Sequence, residues 1–198
     1  MKILNLYAGI GGNRKFWGDE HDITAVENEQ YIADVYAALY PNDTVVVADA
    51  HQYLLDHYKE FDFIWSSPPC PTHSRMRLSL VKSKPVYPDM KLYEEILFLK
   101  HFYKGIWVAE NVTPYYEPLT KPTAIIDRHY VWSSHPLNNV NFPREYSGRI
   151  TDQSKETLAG AYGITLPQGT KNQRKLLRNA VDPKFGAYIF AELVQHYE

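Results

Sequence analysis

Five short apolar runs alternate with segments of helical period through residues 1–111, and that alternation leaves few folds open. Residues 2–7 (KILNLY), 23–27 (ITAVE), 44–49 (TVVVAD), 61–66 (FDFIWS) and 105–111 (GIWVAEN) have the length and the branched or aromatic content of strands. Between the second and third, Ile32, Val35, Tyr36 and Leu39 recur at helical spacing, which predicts a helix with Asn28 as N-cap and Pro41 as terminator. Residues 50–58 predict a short helix, and Leu92, Ile96, Leu99 and Tyr103 predict a longer one. Repeated strand–helix–strand units favour a doubly wound α/β fold, its mostly parallel sheet joined by right-handed crossovers. Beyond residue 111 the pattern weakens. Residues 124–134 read as a strand or a bent strand pair and 137–178 as irregular and polar. Residues 185–197 read as a closing helix with Phe185, Ile189, Leu193 and Tyr197 on one face.

With 198 residues, 44% of them hydrophobic, the chain fills one core, so a single domain spanning 1–198 is expected, with a small insert at about 137–178. The formal charge of −2 hides an asymmetry. Residues 1–70 carry four basic against eleven acidic side chains, whereas 71–104 carry seven against three and 121–178 nine against four. A polyanion would therefore meet the second half. One cysteine cannot form an internal disulfide, and the opening residues lack a signal-peptide pattern. No apolar stretch approaches the roughly 18 residues of a membrane span. A soluble, cytoplasmic protein is expected; oligomeric state is left open.

In open α/β sheets, ligands gather beyond the carboxyl ends of the strands, so what each strand delivers there is informative. The first delivers Gly9, Gly11 and Gly12, where missing side chains let backbone approach a ligand. The second ends at Glu27, able to accept from ribose hydroxyls, and the third at Asp49. The fourth ends at Pro68, Pro69 and Cys70, the fifth at Glu110 and Asn111. Singly these signals are weak, because glycine turns are common and a lone cysteine is often inert. Together they form the pattern of a nucleoside-type cofactor beside a catalytic centre. Residues 71–88, rich in Ser, Lys, Arg and Pro, form a loop long enough to be functional.

NLYAGIGG (5–12), AVENEQYIADVYAALYPN (25–42), DA (49–50), SPPCPTHS (67–74), AENV (109–112) and RNAVDP (178–183) resemble, in order and spacing, the motifs of the cytosine-C5 DNA methyltransferases. The resemblance implies a Rossmann-like S-adenosylmethionine-dependent methyltransferase fold and no metal. It further implies methyl transfer to carbon 5 of a cytosine flipped out of double-stranded DNA, for restriction protection or another form of genome marking. Cys70 would add to carbon 6 of the base, Glu110 would donate near N3, Asn111 would hold that loop, and Arg128 would face the cytosine O2. Tyr7, Ala8, Gly9, Gly11 and Gly12 would pass beneath the methionine end of the cofactor. Glu27 with Asn28 would serve the ribose and Asp49 with Ala50 the adenine, while Pro68, Asn179, Ala180 and Val181 would close the pocket. Ser74, Arg75, Arg77, Lys82 and Lys84, in a cationic lid, and Arg174 would contact nucleic acid.

Three positions depart from the pattern: Asn5 stands in place of Asp, Pro71 in place of Gln, and Ile126 in place of a second arginine. The segment available for sequence recognition is also short. It would read a short site, lean on shape and phosphates, or need a second subunit. Methylation of RNA cytosines and a non-catalytic DNA-binding or regulatory role are the alternatives.

Overall fold

The computed structural model describes residues 1–75 and 86–197. Its elements run β1 (Lys2–Leu6), β2 (Asp22–Glu27), α1 (Gln30–Leu39), β3 (Thr44–Val47), α2 (Ala50–His57), β4 (Phe63–Ser66), α3 (Lys91–Phe102) and β5 (Ile106–Val112). They continue with β6 (Ala124–Ile126), β7 (His129–Ser133), α4 (Lys155–Tyr162), α5 (Gln173–Asn179) and α6 (Pro183–Val194). The strands form one sheet in the order β3-β2-β1-β4-β5-β7-β6. β1 to β5 are parallel, and β7 joins β5 antiparallel. Residues 124–134 are thus a strand pair, turned at Asp127, whose φ of +52° is left-handed.

The central strands are apolar at nearly every position because helices cover both faces. Ile3, Phe63 and Trp65 point toward α6 and meet Trp17, Phe185, Ile189 and Phe190. Leu4, Leu6 and Ile64 point the other way, onto Leu54 of α2 and Leu92, Ile96 and Leu99 of α3. The order in which successive strands are added reverses between β1 and β4: β2 and β3 lie on one side of β1, β4 and β5 on the other. That switch opens a crevice beyond the carboxyl ends of the two strands.

Four expectations need correction. Asn28 is not the N-cap of α1. Glu29 occupies that position without a side-chain cap, and the Glu27 carboxylate accepts from the Glu29 N–H at 3.0 Å. Residues 137–178 are not irregular throughout, since they hold α4 and α5. Both helices are short, so their apolar period is brief: Leu158 and Tyr162 in α4, Leu176 and Leu177 in α5, packed on Ile10 and Val35. Ser154 caps α4 by accepting from the Thr157 N–H, and Gly163, at φ +59°, ends it. Tyr197 does not share the α6 stripe, because the helix ends at Val194 and Tyr197 is exposed. Lastly, β3 stops at Val47, short of Asp49, which begins the next helix instead. No helix among the described residues is long and apolar enough to cross a membrane.

Close packing of α6 on the segment after the glycine turn gives a direct test of the fold. A Cβ on Gly186 would sit 2.5 Å from the Asn13 Cα, whereas one on Gly160 in α4 would meet nothing within 4 Å. Alanine raises intrinsic helix stability by about 1 kcal/mol at either position. At Gly186 the overlap with backbone costs about 1–3 kcal/mol or more and wins. Urea unfolding should therefore show Gly160→Ala stabilised and Gly186→Ala destabilised.

Candidate active site

Strand register decides which loops meet. Leu6 pairs with Ser66, and Ser66 with Ala109, so the segments after β1, β4 and β5 leave the sheet side by side. Pro68 is buried, and its carbonyl accepts from the Asn111 Nδ2 at 2.8 Å. That bond ties the fourth strand's loop to the end of the fifth. Two residues on, Cys70 is exposed, and its carbonyl accepts from the His73 and Ser74 N–H groups at 3.0 and 3.1 Å. Pro71 has no N–H, and its fixed φ suits the first position of this turn.

Glu110 is only 6% exposed. Burial raises its pKa from 4.5 to about 7, against the Ser67 hydroxyl that hydrogen bonds to it and the Arg128 charge, which both lower it. A carboxyl held there is partly protonated at neutral pH and able to donate. The Cys70 thiol reaches solvent, yet packing around it desolvates the thiolate and raises its pKa. The Glu110 charge adds to that rise, and Arg128 opposes it. Cys70, Glu110 and Arg128 therefore share one electrostatic neighbourhood. The Arg128 carbonyl accepts from the Thr113 N–H at 2.8 Å and hydroxyl at 2.9 Å, which pins the β6–β7 turn beside the end of β5. Ile126 is fully buried in the core, so no second arginine faces this site from that position.

His129 lies 4.0 Å from Glu110, but burial, with Arg128 and Arg144 adding to it, pushes its pKa down to about 3. The imidazole is neutral at physiological pH, so this contact is not an ion pair. The Oδ1 of Asn111 and the Nε2 of His73 are buried without a hydrogen-bond partner among the described residues.

On the glycine-turn side, Gly9 has φ +54°, and a Cβ there would meet nothing within 4 Å. Its N–H donates to Glu27 Oε2 at 3.0 Å. Each Glu27 oxygen accepts one backbone bond and keeps a lone pair for a hydroxyl. Gly9, Asn179 and Ala180 line one cleft of about 120 Å³. A Cβ on Gly12 would lie 2.1 Å from the Val181 carbonyl oxygen, so the C-terminal segment seats directly against the turn. Asn5 is buried in a reciprocal amide pair with Asn13, the closer bond at 2.8 Å. Asp49 is already engaged: it caps α2 through the Gln52 N–H at 2.9 Å and contacts Lys91 at 3.3 Å.

The residues named for nucleic acid divide. Arg75 donates to the Pro114 carbonyl at 3.0 Å, and Arg77, Lys82 and Lys84 lie outside the described residues. Arg174 donates to the carbonyls of Gln153 and Thr151, holding α5 to the turn that precedes α4.

Sequence reasoning missed Glu95. This fully buried carboxylate on α3 accepts from the Tyr7 and Ser66 hydroxyls at 2.5 Å each and contacts His51 Nδ1 at 3.0 Å. It joins the ends of β1 and β4 to the start of α2, and its hydrogen bond is the main cause of the raised His51 pKa. A signal existed: Glu95 falls on the stripe of Leu92, Ile96 and Leu99, where a carboxylate has no reason to be unless it is bonded. Glu95→Ala leaves the buried Ser66 hydroxyl and the half-buried Tyr7 and His51 without their shared acceptor and should cost about 3 kcal/mol in denaturant unfolding.

A mostly parallel seven-stranded sheet, with a thiol and a buried acid beyond its central strands, defines a methyltransferase-type α/β protein. The chain belongs to the C-5 cytosine-specific DNA methylase family, whose model matches residues 1–113. Among solved structures, the fold is similar to that of a Spodoptera frugiperda DNMT2 mutant, with a TM-score of 0.64 and 14% identity over 98% of each chain. It is also similar to the Entamoeba histolytica methyltransferase EhMeth, with a TM-score of 0.65 and 10% identity over 100% of this chain and 99% of that one. No curated protein sequence gives a significant match.

Proposed function

We infer that this protein transfers a methyl group from S-adenosylmethionine to carbon 5 of a cytosine in DNA. The observation that carries the reading is an exposed Cys70 thiol in electrostatic contact with a buried, partly protonated Glu110 and with Arg128, in a member of a cytosine-C5 methylase family. Carbon 5 of cytosine is too weak a nucleophile to react unaided. Addition of the Cys70 thiolate to carbon 6, with proton donation from Glu110 at N3, turns the ring into an enamine nucleophilic at carbon 5. Loss of the C5 proton and elimination of Cys70 then release the product. Arg128 offsets the negative charge, and Asn111 holds the two loops together. The target base must leave the helical stack to reach Cys70.

The open face at Gly9 and the free lone pairs of Glu27 suit S-adenosylmethionine. When bound, it supplies an electrophilic methyl on a sulfonium. Gly9, Ala8 and Tyr7 would lie along it, Glu27 would accept from its ribose hydroxyls, and Asn179 to Val181 would flank it. The test is incorporation of labelled methyl groups into DNA and RNA of matched cytosine content, with bisulfite sequencing of the product. Labelled 5-methylcytosine in DNA is expected; label confined to RNA, or no label in either, overturns the reading.

A further inference from the structure

We propose that the groove between α4 and α5 is a sequence-independent docking track for the phosphate backbone of duplex DNA; the choice of DNA rests on the functional reading above. The groove, of about 530 Å³, is lined by Lys155, Arg174, Lys175 and Arg178, together with Thr170 and Gln173 as polar groups, and no carboxylate among the described residues lines it. All four cations are exposed, and neither Lys175 nor Arg178 has a carboxylate partner among the described residues. Only Lys155 is partly offset, by Glu156 at 3.7 Å. Arg174 is held in place by two backbone carbonyls, which fix its position and leave its charge uncompensated. Leu158, Leu176 and Leu177 bury the other sides of both helices, so the cationic surface stands on a packed base.

Asn172 and Lys175 line both this groove and the cleft at Gly9 and Asn179. The track therefore runs up to the glycine turn beyond β1, in a chain whose net charge is −2. Three uncompensated cations and the partly offset Lys155, along two helices, exceed what a single small anion needs and suit a row of phosphates. Contacts of this kind fix orientation and supply affinity without reading bases, which compensates for a short recognition segment.

The test is the salt dependence of binding to a fluorescent 20-base-pair DNA duplex, for the wild type, Lys155→Gln, Lys175→Gln, Arg178→Gln and the triple variant. Each phosphate contact contributes about 0.9 to the slope of log affinity against log salt, equivalent to about eightfold between 0.1 M and 1 M salt. Each single variant should lose about that much slope and weaken about eightfold at 0.1 M salt. Lys59→Gln, an equal charge change on an exposed residue after α2, controls for net charge. An unchanged slope in the triple variant, an equal loss in Lys59→Gln, or losses seen with duplex RNA and not with DNA overturn the proposal. Thermal melts check folding, since all three residues are exposed. Repeating the titration with Cys70→Ala protein separates the two readings: a groove-dependent slope there stands even if no methyl transfer is found.

Discussion

Cys70→Ala should abolish methyl transfer, by about 10⁴-fold or more, while leaving the protein folded. The magnitude follows from removing the covalent step outright, as with other nucleophiles that act as one unit with their acids and bases. Stability should change by no more than about 0.5 kcal/mol, because the side chain is exposed and fills no part of the core. Cys70→Ser should fail nearly as completely, since a hydroxyl is a far weaker nucleophile than a thiolate at neutral pH. The most specific readout is trapping: DNA carrying 5-fluorocytosine has no C5 proton to lose, so the wild type should remain attached through Cys70 under denaturing electrophoresis. Methylation by Cys70→Ala, or an adduct formed by it, would falsify the mechanism.

Glu110→Gln should separate activity from stability. Loss of the proton donor should reduce methyl transfer by about 10²- to 10⁴-fold. Stability should move the other way. A carboxyl with a folded pKa of about 7 against 4.5 unfolded contributes stability that is fully present below 4.5 and lost as pH rises through 7. Above that point the ionised group costs the fold about 3 kcal/mol, which glutamine does not pay. Glu110→Gln should thus be more stable than the wild type at pH 8 and gain little at pH 4. His129 titrates with its pKa pushed down to about 3, so its effect has the opposite sign, but it is present in both proteins and cancels in the difference. Urea midpoints at the two pH values decide. An equal offset at both would show that Glu110 is not held protonated by burial.

The sheet was legible because two-sided burial writes its strands as continuous apolar runs, and the five parallel strands fall where those runs fall. The strand pair at 124–134 could be read only as an alternative, since its turn depends on a left-handed Asp127 rather than on a glycine. Helices α4 and α5 escaped for a related reason: each shows about one turn of apolar period, and tertiary contact with Ile10 and Val35 supplies the rest of their stability. At the site, Cys70 and Glu110 stood out because reactive groups at strand ends are informative, whereas Glu95 and His129 act through contacts that only packing creates. Asp49 shows the limit of motif reading, since a residue assigned to a ligand also caps a helix.

Trp17 stacks on Phe190 at 5.0 Å and lies against Trp65 at 5.5 Å, so an indole near the start of the chain is enclosed by a helix near its end. During synthesis, that ring must wait in water or in temporary company until the trailing helix leaves the ribosome. Assembly of the fold therefore waits for α6 to close over the segment after the glycine turn, and of the four tryptophans Trp17 and Trp65 are the pair whose emission reports the moment at which it happens.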